Sequence, residues 1–281
     1  MSMRATVPFY PFTYLFVPGN RPERFDKALA SGADRVILDL EDAVAPDDKT
    51  AARSSIAAWL DQSAAARDRI LVRINDTSTP WHVEDLNLLR QIQPCTVMLP
   101  KCEDEHQIAA VHSCLTPPAT LVALIESARG VEALPRIAGA PGVSCLAFGA
   151  LDYMVDLDIP ADSPALAQAA IQIAVVSRAA GLAKPIAGVT PDMDTTRVAS
   201  DMREAMTMGF GAKMCIHPMQ ITAVRQAITP SEQEVAWAQR VLLAWNAGAG
   251  GVLQVDGKMV DRPVVLKAER IISRTAQTLS P

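Results

Sequence analysis

The sequence predicts a (β/α)8 TIM barrel carrying a short C-terminal helical and hairpin extension. Three observations predict it. Short apolar runs recur along the 281 residues, segments with helical spacing lie between them, and charged or polar residues stand at the C-terminal end of one run after another. Apolar strands alternating with amphipathic helices imply a parallel sheet covered on its outer face. Eight such units fit the usual barrel length of about 250 residues. A doubly wound open sheet is the rival architecture. Its dinucleotide turn requires GxGxxG, and the first turn here reads "VPGNRPER".

In chain order the runs are "YLFVP" from Tyr14, "RVILDL" from Arg35, "ILVRI" from Ile70, "TVMLP" from Thr96, "LVALIES" from Leu121, "SCLAFG" from Ser144, "PIAGV" from Pro185 and "AKMCIH" from Ala212. Helix candidates between them include "PERFDKALASG", "SPALAQAAIQIAVVSRAAG" and "DTTRVASDMREAMTMGFG". The last two close on Gly181 and Gly209, residue types that stop helices. Beyond the eighth run, "TPSEQEV" reads as a capping box with Thr229 as N-cap, Pro230 at N1 and Glu232 at N3. A helix to about Trp245 is expected next, then a Gly-rich link from Asn246 to Gly251. A hairpin through Asp256 and Gly257 and a final helix complete the chain. The expected division is a barrel domain, 1–229, and an extension, 230–281, packed on the barrel or reaching a neighbouring subunit.

Composition narrows the function classes. Hydrophobic residues make up 49% of the chain, with a mean hydropathy of +0.15, enough for a large core. The net charge of −5 supplies no global basic field for nucleic acid or an anionic membrane. An anionic ligand must therefore be met by local arginines. Five cysteines, odd in number and without a CxxC pair, read as reduced, mostly buried thiols of a cytoplasmic protein. The N-terminal "MSMRATVPFYPF" lacks the apolar core of a secretory signal, and no apolar run reaches the roughly 18 residues of a membrane span. The sequon at Asn75 matters only in a secreted chain.

Barrel chemistry gathers at the C-terminal ends of the strands. Strand two ends in an acid cluster, Asp39, Glu41 and Asp42; strand three carries Arg73 and Asn75, and strand four ends in Lys101. Strand five ends in Glu126, strand six leads to Asp152, and strand eight ends in His217. Each admits a plainer reading. Glu126 and Asp152 suit helix N-termini, and a buried Arg73 suits a structural salt bridge to Glu41. Lys101 suits a solvated surface, His217 a loop bonded to backbone, and Asp39, which points the same way as Glu41, a tie to a neighbouring segment. Convergence from six strands favours a site.

The motifs "YLFVPGNRPERFDKALASGADRVILDLEDAV", "VRIN", "LPK", "IES", "FGALDY", "IHPMQI" and "DGKMVDRP" occur in this order from about Tyr14 to about Ile271. In them the chain resembles the citrate lyase β-subunit-like (CitE-like) group of the HpcH/HpaI aldolase superfamily. The resemblance implies a Mg²⁺-dependent carbon–carbon lyase acting on malyl-, citramalyl- or citryl-type thioesters, with an acyl-CoA or acyl-carrier thioester and a 2-oxo acid as partners. It implies Glu126 and Asp152 as metal ligands, Arg73 as the donor to a thioester enolate, and Glu41 and Asp42 as acids orienting metal-bound water. It also places Asp261, from the extension of a neighbouring subunit, at the site, and so implies a homo-oligomer, a trimer or hexamer. Arg21 and Arg24, with Lys101, are the cations that would meet the substrate and the CoA phosphates; surface salt bridges are the alternative. Many relatives carry an aromatic residue in the loop after strand seven. Here that loop reads "GVTPDMDTT", leaving the roles of Asp192 and Asp194 open. A malyl-CoA thioesterase or malate-synthase-like reaction, a carrier-dependent citrate lyase subunit and a sugar-acid aldolase are the competing readings. The last lacks its expected histidine near the strand-two rim.

Overall fold

The computed structural model describes residues 11–247 and 253–279. Eight parallel strands close in sequence order into a barrel: β1 (Thr13–Pro18), β2 (Arg35–Asp39), β3 (Ile70–Arg73), β4 (Thr96–Leu99), β5 (Thr120–Ile125), β6 (Val143–Phe148), β7 (Ile186–Ala187) and β8 (Ala212–Cys215). The ring is completed where Thr13, Tyr14 and Leu15 pair with Lys213, Met214 and Cys215. All eight expected runs form these strands.

Side-chain alternation decides what enters the barrel. Tyr14, Ile37, Leu71, Met98, Leu124 and Ala147 fill its interior. Two residues further along their chains stand Asp39, Arg73, Glu126 and Gly149, so the same pleat aims these positions inward at the C-terminal rim. The outer face is covered by helices whose apolar residues recur every three to four positions. Lys49–Gln62 buries Ala52, Ile56 and Leu60, and Thr195–Thr207 buries Val198, Met202 and Ala205. The helices Pro164–Ala179 and Thr195–Thr207 stop as expected, with Gly181 at φ 74° and Gly209 at φ 106°.

Two expected starts differ. The segment from Pro22 is a 3₁₀ turn, Pro22–Arg24, followed by a five-residue helix, Phe25–Leu29. So short a helix gives little dipole for a phosphate. The capping box sits two residues later than expected. The Ser231 hydroxyl accepts from Glu234 N–H at 3.2 Å, and the Glu234 carboxylate accepts from Ser231 N–H at 2.8 Å. Thr229 is unavailable because both its N–H and its hydroxyl donate to the Arg225 carbonyl, closing the helix Pro218–Ile228.

The chain divides into two compact units, one of Pro11–Val224 and one holding the chain from Arg225 onward. In the second, the helices Glu232–Ala247 and Arg262–Leu279 and the hairpin β9 (Leu253–Val255) and β10 (Lys258–Val260) share a core of Ala238, Val241, Val260, Val265, Ala268 and Ile271. The hairpin turns through Asp256 at φ 51° and Gly257 at φ 73°, as two positive φ values in a tight hairpin require. Residues 248–251 of the expected Gly-rich link lie outside the described residues. Four of the five free cysteines are buried and Cys95 is half-buried. No helix among the described residues is long and apolar enough to cross a membrane.

At the opposite end from the rim, Asp34 staples the barrel. Its Oδ2 accepts from Phe12 N–H at 2.9 Å, Thr13 N–H at 3.0 Å and the Thr13 hydroxyl at 2.9 Å. Removing this acceptor leaves buried donors unsatisfied, at about 1–3 kcal/mol for such a group. Asp34→Ala is expected to lower unfolding stability by about 2 kcal/mol or more in urea denaturation followed by circular dichroism. A change under about 0.5 kcal/mol would contradict the staple.

Candidate active site

Arg73 is 8% exposed and so needs partners for its buried charge. Asp39, fully buried, supplies them: Arg73 Nε donates to Oδ1 at 2.6 Å and NH2 to Oδ2 at 2.7 Å. The remaining arm, NH1, lies 2.7 Å from Glu41 Oε2 and 3.6 Å from Asp42 Oδ2. The guanidinium also lies 4.6 Å from the centre of the Phe16 ring. Asp39 is therefore the principal partner of Arg73, where the sequence suggested Glu41. Its oxygens additionally accept from the N–H groups of Glu41 and Ala43 at 2.9 and 3.1 Å, fixing the loop that carries the acids.

Lys101 joins two of the acids. Its ammonium lies 3.0 Å from Glu41 Oε1, and its own peptide N–H donates to Glu126 Oε1 at 2.7 Å. A left-handed backbone, φ 45°, accompanies both contacts in a residue that is not glycine. Burial opposes the charge on Lys101, but the Glu41 carboxylate outweighs it and holds the ammonium above its ordinary range. Lys101 is thus tied to carboxylates and is not a free surface lysine.

Glu41 and Glu126 carry negative charge that these cations do not fully offset. Burial, reinforced by Asp42 and resisted by Arg73, pushes the Glu41 carboxyl up to about 7. Burial, then repulsion from Glu41 and Asp152, pushes Glu126 up to about 8. Although Glu41 Oε2 lies beside Arg73, it is buried and accepts no aligned hydrogen bond. A carboxyl raised by burial and then by two acidic neighbours, as Glu126 is, fits a divalent cation. Glu126 from the end of β5 and Asp152 from the first turn of Ala150–Leu157 are its candidate ligands. Among the described residues no group of three or more His, Cys, Asp or Glu side chains converges. A pair of carboxylates completed by water and substrate oxygens is a donor set that suits Mg²⁺. Gly149 leaves room for it, since a Cβ there would strike the Glu126 carboxylate.

The other expected residues are placed as follows. Asp42 is exposed on the rim, and Asp152 is exposed but near enough for its charge to raise Glu126. Arg21 and Arg24 are about half exposed on the turn after β1, with Arg21 Nε 2.8 Å from Glu23 and Arg24 Nε 3.9 Å from it. Asp261 belongs to the second unit and accepts from Val264 N–H at 3.2 Å, capping the helix Arg262–Leu279. Asp194 caps Thr195–Thr207 and Asp192 accepts from Asp194 N–H at 2.8 Å, so both are engaged locally. His217 Nδ1 accepts from Met219 N–H at 3.2 Å, a contact to backbone of the kind its plainer reading describes. Asn75 is 1% exposed, which buries the sequon. Sequence reasoning missed Lys49, Asp76 and Asp85, all buried; Asp76 Oδ2 lies 3.9 Å from the Lys101 ammonium. Each is a charged residue on a loop or helix, where no strand alternation marks it as inward.

A closed parallel barrel with acids, an arginine and a lysine gathered at its C-terminal rim has its charged groups where barrel enzymes place their active sites. The particular family follows from comparison: the chain belongs to the HpcH/HpaI aldolase/citrate lyase family, whose model matches residues 13–218. It is a carbon–carbon lyase of the citrate lyase β-like kind. A citrate lyase subunit beta-like protein of Mycobacterium tuberculosis is 36% identical over the whole of both chains. An L-malyl-CoA/beta-methylmalyl-CoA lyase of Cereibacter sphaeroides is 32% identical, over 95% of this chain and 94% of that one. The crystal structure of M. tuberculosis CitE in complex with magnesium, acetoacetate and coenzyme A superposes with a TM-score of 0.84 at 35% identity, covering 95% of this chain and 98% of that one.

The raised carboxyls set a pH dependence. Between an ordinary 4.5 and the folded values of about 7 and 8, the unfolded chain has released protons that the folded chain retains. Rising pH therefore favours unfolding across that window. In EDTA, denaturation midpoints are expected to fall from pH 5 to pH 8, with Glu126→Gln flattening the fall. A flat wild-type profile in EDTA would contradict the charge arrangement.

Proposed function

We propose that the protein is a Mg²⁺-dependent lyase cleaving a 3-hydroxy-3-carboxyacyl thioester, of the malyl-, citramalyl- or citryl-CoA type, to an acyl-CoA and a 2-oxo acid. The observation that carries the reading is the buried Glu126, raised by burial, Glu41 and Asp152, beside an arginine locked inside the same rim. The relatives support it: CitE structures hold magnesium with pyruvate, or with acetoacetate and coenzyme A, and another relative is a malyl-CoA lyase.

On this reading Glu126 and Asp152 hold the metal. When bound, Mg²⁺ would supply a Lewis acid that makes the substrate's 3-hydroxyl more acidic and neutralises its carboxylate. In cleavage a base takes the hydroxyl proton, the hydroxyl-bearing carbon becomes the carbonyl of the 2-oxo acid, and the carbon–carbon bonding pair passes to the acyl fragment as a thioester enolate, whose negative oxygen Arg73 faces. Asp39 holds the guanidinium on two arms, so the donor is in place before that charge appears. Glu41 and Asp42 orient water at the rim. Lys101 keeps Glu41 and Glu126 in register and, with Arg21 and Arg24 on the exposed first turn, supplies positive charge to substrate and CoA phosphates. Asp261 from a second copy of the chain carries the proton to or from the enolate carbon, which makes the active form a homo-oligomer.

Malyl-CoA, citramalyl-CoA and citryl-CoA, each with Mg²⁺ or EDTA, test the reading. Mg²⁺-dependent release of a 2-oxo acid from one thioester, lost in Glu126→Ala and Asp152→Ala, is the expected outcome. Free thiol without a 2-oxo acid would replace it with thioester hydrolysis. Turnover only on a carrier-protein thioester would make the chain a complex subunit. Arg73→Met is expected to lower kcat by about 100- to 1,000-fold, the usual cost of an oxyanion donor. A drop confined to KM would remove Arg73 from the bond-breaking step.

A further inference from the structure

Lys49 is a buried cation that the reaction just described does not use. The residue is 4% exposed and opens the helix Lys49–Gln62. Its ammonium donates to three acceptors: the Leu40 carbonyl at 2.7 Å, the Glu41 carbonyl at 2.8 Å and Asn75 Oδ1 at 2.7 Å. An ammonium has three protons, so all are engaged. The indole of Trp81 covers the charge at 4.9 Å.

Its acceptors are consecutive carbonyls of the loop that presents Glu41 and Asp42. Asn75 is itself immobilised, since Asp85 Oδ2 accepts from both its backbone N–H and its amide at 2.7 Å. Asp85 is held in turn by Arg53 NH1 at 3.0 Å. Lys49 and Arg53 stand one turn apart on a single helix, so one helix face anchors the loops after β2 and β3 together. From the other side, Asp39 holds the same acidic loop through the N–H groups of Glu41 and Ala43.

We propose that Lys49 is the positioning residue of this acidic loop, setting where the Glu41 carboxylate stands against Arg73 and Lys101 and thereby the tightness of Mg²⁺ binding and kcat. The functional half of this rests on the lyase reading; the positioning half rests on the contacts alone. A surface lysine would add only solubility here. A buried ammonium on three acceptors, two of them in the backbone of the acid-bearing loop, fixes position.

The test compares wild type with Lys49→Met, which keeps the stem's bulk and removes the three donors. Hydrogen exchange across residues 40–44 is read first, without metal or substrate. Exchange there faster by about 10-fold or more in the variant, with the β5 and β6 strands unchanged, supports positioning. Unchanged exchange overturns it. Mg²⁺ titration by calorimetry and the kcat and KM of the preferred thioester are read next. Contacts that support a metal's ligands are worth about 10- to 100-fold; Lys49 acts one step further out, through Glu41, so Mg²⁺ affinity and kcat are expected to fall by about 10-fold, the low end of that range, with KM for the thioester little changed. Affinity and kcat within two-fold of wild type overturn the functional half. Should Lys49→Met fail to fold, Lys49→Arg replaces it: it keeps a buried cation but cannot match the three-point geometry, and the same readings apply. If wild type neither binds Mg²⁺ nor cleaves a thioester, the lyase reading fails while the exchange result still decides the positioning.

Discussion

The ion pair between Arg73 and Asp39, made on two arms at 2.6 and 2.7 Å inside the barrel, is the contact around which the rim is arranged. A buried guanidinium cannot be left unpaired, and a buried carboxylate cannot either. Pairing them neutralises both and uses two of the arginine's arms. What remains is an imbalance. Glu41 is also buried, beside the third arm of Arg73 and the half-exposed Lys101 ammonium, and the buried Glu126 accepts the Lys101 peptide N–H. Burial first, and then the neighbouring acids, raise both carboxyls, a cost relieved by a retained proton or by a bound divalent cation.

The same constraint explains the local backbone. Gly149 is required because the Glu126 side chain occupies the space a Cβ would take. Lys101 adopts a left-handed conformation with its peptide N–H on Glu126 and its ammonium on Glu41. These departures from ordinary strand geometry fall at the rim, while the barrel interior below is filled by regular alternation of apolar side chains. The left-handed Lys101 and the buried Asp39, Glu41, Arg73 and Glu126 thus stand together at the rim, while at the opposite end the buried Asp34 ties Phe12 and Thr13.

The loops after β7 and β8 are organised on a different basis. Gln220, 1% exposed, donates its amide to the carbonyls of Thr190 and Asp192 and accepts from Ile216 N–H. Asp192 and Asp194 are engaged in a turn and a cap, and the buried Lys213 donates to the Gly188 carbonyl at 2.7 Å, so these loops are tied largely through backbone groups. On the side from β2 to β5, Arg73 and Lys101 stand instead among the side-chain carboxylates of Asp39, Glu41 and Asp42.

The sequence by itself determined the barrel, its eight strands, the glycine stops after two long helices, the final hairpin and most of the inward-facing rim. It did so because strand alternation and helix periodicity are local: Asp39, Glu41 and Arg73 are legible as inward from their distance to apolar neighbours. It placed one capping box two residues early, since Thr229 and Ser231 offer the same local pattern and only the end of the preceding helix chooses between them. Tertiary structure decided which charges meet. That Asp39 and not Glu41 takes two arms of Arg73, that Lys49 reaches three acceptors from a helix, and that Glu126 sits among acids all depend on distances across neighbouring strands. Such distances are set by closure of the barrel, which no window of sequence contains.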